Sequence, residues 1–284
     1  MIRNLARTYF REALYAIPAV LFMAFLFAMP LLGVLRQSLQ RNSGGGPSLE
    51  AWTKVFTTPL FLKVAIATLE ISIGATLCSL LLAYPVAYFL AKQPPRRRVL
   101  YMILVLIPFW TSSLVKSFSL MVLLGHSGII NELLATVGIG PVKMLFNRFG
   151  VMVGMSHYLI PFMVFPILTS LQNQPPELGR AAAIMGAGKL RIFTRVTFPL
   201  SLPGVMAGAL LVFVLSLGFY IIPALLGGRK DMMFANLVDF YTREVLNWPV
   251  ASAVAVLLAL AAAAAATLLS KVQSGSSIYS EEAR

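Results

Sequence analysis

QPPELGRAAAIMGAGKLRIFTRVTFPLSLPG, residues 174–204, lies between two strongly apolar runs and still reads as ordered helix. Pro175 and Pro176 suit a first helical turn, where a missing N–H costs nothing, and the Glu177 carboxylate follows at the positive end of the macrodipole. Ala181, Ala182, Ala183, Ile184 and Met185 propagate this helix, and Gly186 is placed to end it in the left-handed conformation that glycine tolerates. A second helix is predicted from Lys189 to Thr197, with Leu190, Phe193 and Val196 on one face and Arg191 and Arg195 on the other. Pro199 and then Pro203-Gly204 are expected to stop it. Gly186-Ala187-Gly188-Lys189 looks like half of a phosphate-binding loop. Residue 183, however, is Ala where that motif needs Gly, and Leu190 stands where a magnesium-binding Ser or Thr is required, so no ATP site is assigned to this chain.

The surroundings of this unit are built for lipid. Of 284 residues 58% are hydrophobic and 12% charged, with mean hydropathy +0.83; soluble domains carry about 25% charged residues. A net charge of +13 would suggest nucleic acid in a soluble protein, but here the basic residues are scattered over short loops, as the orientation of a membrane protein requires. Nucleic-acid binding is excluded on that ground. Cys78 is the single cysteine and lies in an apolar run, while His126 and His157 stand far apart without a partnering Cys. No disulfide framework, metal cluster or nucleophilic constellation follows from these residues. A membrane-embedded enzyme would need clustered His, Asp or Glu at one face, and ten scattered acidic residues do not supply it.

The fold expected is an all-α integral membrane protein of six spans, at about 14–35, 64–90, 99–124, 150–171, 205–226 and 250–269, forming one permease domain over 14–270. The 174–204 unit then joins the fourth and fifth spans. Arg3, Arg7 and Arg11 recur every four residues, which fits a basic amphipathic helix over 1–13 on the inner membrane surface or a plain basic flank. The run from residue 14 is too long for a signal peptide and has no small-residue cleavage site, so it is read as a retained span. Asn42 to Pro47 breaks the chain, Leu49 to Phe61 carries one interfacial helix, and Val250 to Leu269 leads into a tail over 271–284. Alternate loops hold thirteen Lys and Arg on the side of the termini and nine on the other. Both termini and the 174–204 unit are therefore expected to face the cytoplasm.

Glu70 is the only carboxylate well inside a predicted span and Lys116 the only ammonium. A charge at the bilayer centre costs about 2.5–3.5 kcal/mol on insertion scales, so the two either face a cavity and pair, or lie near the outer surface and snorkel. His157 is expected as a hydrogen-bonded interior residue. Near mid-membrane the fifth span carries Ser216, Gly218, Phe219, Tyr220 and Pro223; glycine and proline loosen the helix, and ring faces attract an organic ammonium group. Packing of the bundle explains the same aromatics. Asp239, with Asp231, Tyr241 and Glu244, sits in the last outer loop, where it either receives a polycation or is merely solvated.

Pro176-Glu177-Leu178, Ala181-Ala182, Gly186-Ala187, Phe193, Pro199-Leu200 and Pro203-Gly204 together resemble the EAA loop of bacterial ABC-importer permeases. In that family the loop forms cytoplasmic coupling helices that dock on the ATP-hydrolysing subunit. The resemblance implies ATPase-coupling roles for Pro176, Glu177, Arg180, Ala181, Ala182, Gly186, Ala187, Lys189 and Phe193. Where the family has a glutamate, six residues before the first glycine, this chain has Arg180, so an acidic contact is basic here. From Val64 to Leu260 the chain is also similar to permeases of spermidine/putrescine importers, through Tyr84 to Lys92, Ile107 to Leu114, Gly128-Ile129-Ile130-Asn131, Leu159 to Met163, Gly227-Gly228 and Asn247-Trp248-Pro249. That likeness implies a non-catalytic permease of the inner membrane. Its expected partners are a second, related permease, a dimer of ABC ATPase subunits that binds ATP and magnesium, a periplasmic solute-binding protein, and membrane lipid. Candidates for the substrate path are Glu70, Trp110, Lys116, Tyr158, Phe219, Tyr220 and Asp239. Other small nitrogen-containing solutes, such as opines, amino-acid derivatives or aminophosphonates, fit the same shape. An ion-driven secondary carrier would show an internal repeat and mid-membrane coupling carboxylates; no repeat is seen, and only Glu70 qualifies.

Overall fold

A computed structural model describes the backbone of residues 2–42 and 46–281, and the side chains of 17–267 apart from 19 and 43–45. Its helices are α1 Ile2–Ser38, α2 Glu50–Thr57, α3 Pro59–Ala91, α4 Pro95–Trp110, α5 Ser113–Leu124, α6 Ile129–Thr136 and α7 Arg148–Gln172. They continue as α8 Pro176–Ile184, α9 Lys189–Ile192, a π-helical turn Phe193–Thr197, α10 Phe198–Leu217, α11 Ile221–Leu226, α12 Phe234–Arg243 and α13 Trp248–Glu281. Among the described residues the only β pairing is an isolated bridge between Gln40 and Pro47. Among the described residues six stretches are long and apolar enough to cross a membrane: Val20–Ser38, Pro59–Ala91, Ser113–Thr136, Arg148–Gln172, Lys189–Leu217 and Trp248–Thr267. The side chains of Arg3, Arg7 and Arg11, on which the amphipathic reading of the N-terminus rests, lie outside the described residues, as do Gly44 and Gly45 of the predicted break.

The chain divides into two compact units, Met1–Thr58 with Val238–Leu257, and Pro59–Leu237 with Leu258–Arg284. In the second unit α7 packs along both α3 and α10, which also meet each other. Ile71 and Ala75 of α3, Met155, Leu159, Met163 and Ile167 of α7, and Val212 of α10 are fully buried there. Lipid tails are as apolar as leucine, so helices in a membrane are held by close approach rather than by burial. Gly204 and Gly208, one turn apart on α10, provide it. A Cβ on Gly204 would fall 2.5 Å from the Pro166 carbonyl oxygen, and one on Gly208 would fall 3.2 Å from that of Met163. In the first unit, Ser38 at the end of α1 is buried and its hydroxyl accepts from Trp52 Nε1 of α2 at 3.4 Å. Ahead of it, Val20 to Leu32 of α1 remain apolar and exposed, the condition of a lipid-facing helix.

Several boundaries differ from those read in the sequence. The third span is interrupted: α4 ends at Trp110, Thr111 and Ser112 are extended, and α5 begins at Ser113. Pro108, followed by three hydroxyl residues that compete for backbone hydrogen bonds, accounts for the break. The fifth span also divides, at Gly218 to Tyr220, and α11 resumes at Ile221. Conversely, Pro199 and Pro203 do not stop the helix that starts at Lys189, which runs on to Leu217. A proline ring collides with the carbonyl four residues back. The π turn just before Pro199, in which Phe198 N–H reaches Phe193 O, widens the helix where that collision would occur. Helices α6 and α12, both short, stand where the sequence predicts loops between spans.

Candidate functional site

Helices α8 and α9 form the unit to which the sequence resemblance assigns coupling, called the coupling unit below, and the turn between them is closed by backbone alone. Gly186 has φ +81°, its N–H donates to Ala183 O at 3.0 Å, and the Ala187 N–H donates to Ala182 O at 3.0 Å. This is a Schellman motif, and it needs a residue free to adopt the left-handed conformation at position 186. Pro176 stands in the first turn of α8 beside Glu177, as expected from the sequence. Gly179 of α8 faces Ile192 of α9.

The outward surface of this unit is apolar at its tip. Ile184 is 87% exposed, Met185 80% and Leu190 76%, values that mark a knob with no cover among the described residues. Pro176, Glu177, Arg180, Ala181, Gly186 and Lys189 are exposed beside it, Ala187 is half-buried, and Ala182 is turned inward. Phe193 is turned inward too. Its ring meets Tyr88 edge-on at 5.3 Å between centroids and Tyr84 at 5.9 Å, and Phe198 lies 6.2 Å away. Tyr84 also shares a hydrogen bond with Ser201 of α10 at 2.9 Å, and Lys92 Nζ sits 3.8 Å from the Tyr88 ring centroid. This aromatic clamp joins the coupling unit to the end of α3. Sequence reasoning gave Tyr84 and Tyr88 no role, although aromatics spaced four apart at a helix end were the available signal. Between the clamp and α8, a cavity of about 520 Å³ is lined by Lys92, Arg98, Gln174 and Pro176 among others.

The structure brings four of the path candidates into one aromatic cluster. Tyr158 of α7 meets Phe219 edge-on at 5.1 Å and Phe162 at 6.2 Å; Phe162 meets Phe109 at 5.5 Å, which in turn meets Trp110 at 6.4 Å. Lys116 is the cation of this cluster, with Nζ 4.2 Å from the Tyr158 ring centroid. The same ammonium donates to Pro108 O at 2.7 Å, a carbonyl in the last turn of α4 that also accepts from the Thr111 hydroxyl at 2.8 Å. Helix α4 thus ends on a positive charge, as its dipole favours. Tyr220 is exposed, and its carbonyl accepts from Asn236 Nδ2 at 2.9 Å.

Glu70 and Lys116 do not pair. Arg148, the first residue of α7, donates from one terminal nitrogen to Glu70 and from Nε to Asp231 Oδ1 at 3.2 Å. Asp231 is buried, and its second oxygen accepts from the Gly228 N–H at 3.1 Å. The contacts of Arg148 join residues 78 and 83 positions apart, and one sequence carries no sign of them. Asp239 pairs with Arg243 on α12 at 2.7 Å and belongs to the other compact unit. His157, expected inside, is exposed on α7.

Comparison with known proteins places this geometry. The family described as binding-protein-dependent transport system inner membrane component matches residues 83–273. The spermidine/putrescine transport system permease protein PotB of Escherichia coli (strain K12) is 34% identical over 215 residues, covering 75% of this chain and 78% of its own length. PotB of Haemophilus influenzae is 34% identical over 241 residues, covering 82% and 84%. A putative 2-aminoethylphosphonate transport system permease protein, PhnU of Salmonella typhimurium, is 26% identical over 244 residues, covering 84% and 83%. In fold, the chain matches one from a bacterial alginate ABC transporter in complex with an alginate pentasaccharide-bound periplasmic protein, with TM-score 0.72, 17% identity and 94% of each chain covered.

Proposed function

The chain belongs to the inner-membrane permease family of binding-protein-dependent importers, and from that premise we propose that it carries polyamines and takes its drive from an ATPase held at the 174–204 loop. The observation that carries the coupling role is the bare apolar knob of Ile184, Met185 and Leu190 on a rigid turn. An apolar projection with no cover among the described residues suits a groove on a partner. Arg180 and Lys189, exposed beside the knob, call for acidic residues on the rim of that groove. Two ATPase copies hold ATP and magnesium and draw together on binding them. Their movement displaces the knob, and Phe193 passes the displacement through Tyr84 and Tyr88 to α3. This lever turns a path shared with a second, related permease from inward-facing to outward-facing.

Both termini lie in the cytoplasm in this reading, and a periplasmic binding protein delivers the solute at the opposite face. The substrate class rests on the likeness to spermidine/putrescine permeases over three quarters of the chain. The ring faces of Phe219 and Trp110 in this cluster would attract a cationic solute, while the Lys116 ammonium, held on Tyr158, opposes it. Uptake of labelled spermidine by vesicles carrying the complete transporter tests the assignment. Saturable, ATP-dependent uptake displaced by putrescine supports it, and indifference to polyamines removes it. An aminophosphonate is the second reading, favoured by the similarity to the 2-aminoethylphosphonate permease; in that case 2-aminoethylphosphonate, not putrescine, displaces the transported solute.

A further inference from the structure

At the end of α3 away from the coupling unit lies a cavity of about 510 Å³ with four cations on its lining: Lys63, Arg148, Arg229 and Lys230. Arg148 is engaged by Glu70 and Asp231. Lys63, Arg229 and Lys230 are exposed and, among the described residues, have no ion-pair partner. Four cations less those two carboxylates leave the site two positive charges in excess. A polyamine would be repelled from it, so this cavity is not part of the proposed substrate path.

Its remaining wall is apolar, formed by side chains such as Val64 and Met232. From Ile66, which lines the cavity, the apolar surface continues along α3 through Leu62, Leu69 and Ile73; Leu62, Ile66, Leu69 and Ile73 are 65%, 47%, 46% and 50% exposed. Steps of four, three and four residues place these on one stripe of the helix. Helix α3 has 33 residues, about 50 Å at 1.5 Å per residue, against a hydrocarbon core of about 30 Å. Its first turns, which carry Lys63, therefore stand at the level of the lipid headgroups, with the stripe running inward from them. A cationic recess at headgroup depth above an apolar stripe matches a molecule with an anionic head and a hydrocarbon tail.

We infer that this cavity binds an anionic phospholipid, with its phosphate among Lys63, Arg229 and Lys230 and an acyl chain along Leu62 to Ile73. The lipid bridges the start of α3 to the segment after α11, the two places that Arg148 also joins through Glu70 and Asp231. Each Lys or Arg near an anionic headgroup strengthens binding about fivefold, so the three together supply about 100-fold.

The test uses the full-length chain with the subunits that purify with it, in nanodiscs of phosphatidylcholine. Ile66→Trp places a fluorophore on the stripe, read against the parent without that substitution, and brominated phosphatidylglycerol or brominated phosphatidylcholine serves as quencher. Quenching is expected at a phosphatidylglycerol fraction about 100-fold below the phosphatidylcholine fraction that matches it. Lys63→Gln with Arg229→Gln and Lys230→Gln should abolish the preference. Lys63→Gln alone, a substitution at an exposed site, should weaken it about fivefold. Equal quenching by the two lipids overturns the inference, as does a preference that survives both variants. Protection from both lipids would place a protein on the stripe, a second permease for instance, and would overturn it as well.

Discussion

Phe193→Ala severs the proposed lever without touching its docking face. Removing a fully buried phenylalanine costs about 3–5 kcal/mol; Phe193 is half-buried, so about 2 kcal/mol is the appropriate figure. Its edge-on contacts with Tyr84 and Tyr88 account for much of this, since an aromatic pair adds about 0.5–1.5 kcal/mol beyond area. About 2 kcal/mol shifts the balance between an engaged and a slack coupling unit about 30-fold. Ile184, Met185 and Leu190 are unchanged in the variant, so the ATPase should co-purify in normal amount and its basal hydrolysis should persist. In proteoliposomes the solute moved per ATP hydrolysed should fall at least tenfold. The reasoning fails if hydrolysis and uptake decline in parallel, if the ATPase no longer co-purifies, or if the ratio is unaltered.

Gly186→Ala forces a side chain into φ +81° at a cost of about 1–2 kcal/mol, so ATPase co-purification should weaken about tenfold. Gly186→Pro also removes the N–H that donates to Ala183 and should abolish ATP-linked uptake, where an ion-driven carrier would keep it. Arg148→Met leaves buried Asp231 without its guanidinium and should destabilise by about 2 kcal/mol. Glu70→Gln, which touches only the half-exposed arm, should cost under about 1 kcal/mol; thermal unfolding in detergent distinguishes them, and equal shifts would contradict the pairing described. Tyr158→Leu removes the ring that holds Lys116, and should raise the KM for spermidine about 3- to 30-fold while leaving basal ATP hydrolysis intact. Gly208→Leu drives a side chain into the Met163 backbone and should reduce the yield of folded protein, read by size-exclusion chromatography.

The coupling unit was legible because local chemistry determines it. Pro176 opens a helix, Gly186 closes it, and each does so through backbone geometry that a few neighbouring residues set. The apolar spans were legible for a similar reason, since length and hydropathy alone bring them into lipid. Interruptions were harder to read. Thr111 to Ser113 and Gly218 carried break signals inside runs whose hydropathy argued for continuity. Pro199 carried a break signal that a π turn absorbed. The aromatic clamp and the Arg148 pairs join residues about 80 to 110 positions apart, and nothing in the spacing of a single chain reports such contacts. The sequence pointed to Trp110, Lys116, Tyr158 and Phe219 one by one for their chemistry, while their meeting in one aromatic cluster, with the Lys116 ammonium on Tyr158, is a product of the fold.

ATP hydrolysis by the purified complex in lipid nanodiscs, with and without the periplasmic binding protein loaded with spermidine, tests the account most directly. Hydrolysis should rise when the loaded binding protein is added, and the rise should be lost in Gly186→Pro. An ATPase that never associates with the chain, or hydrolysis indifferent to the loaded binding protein and to Gly186→Pro, would contradict it.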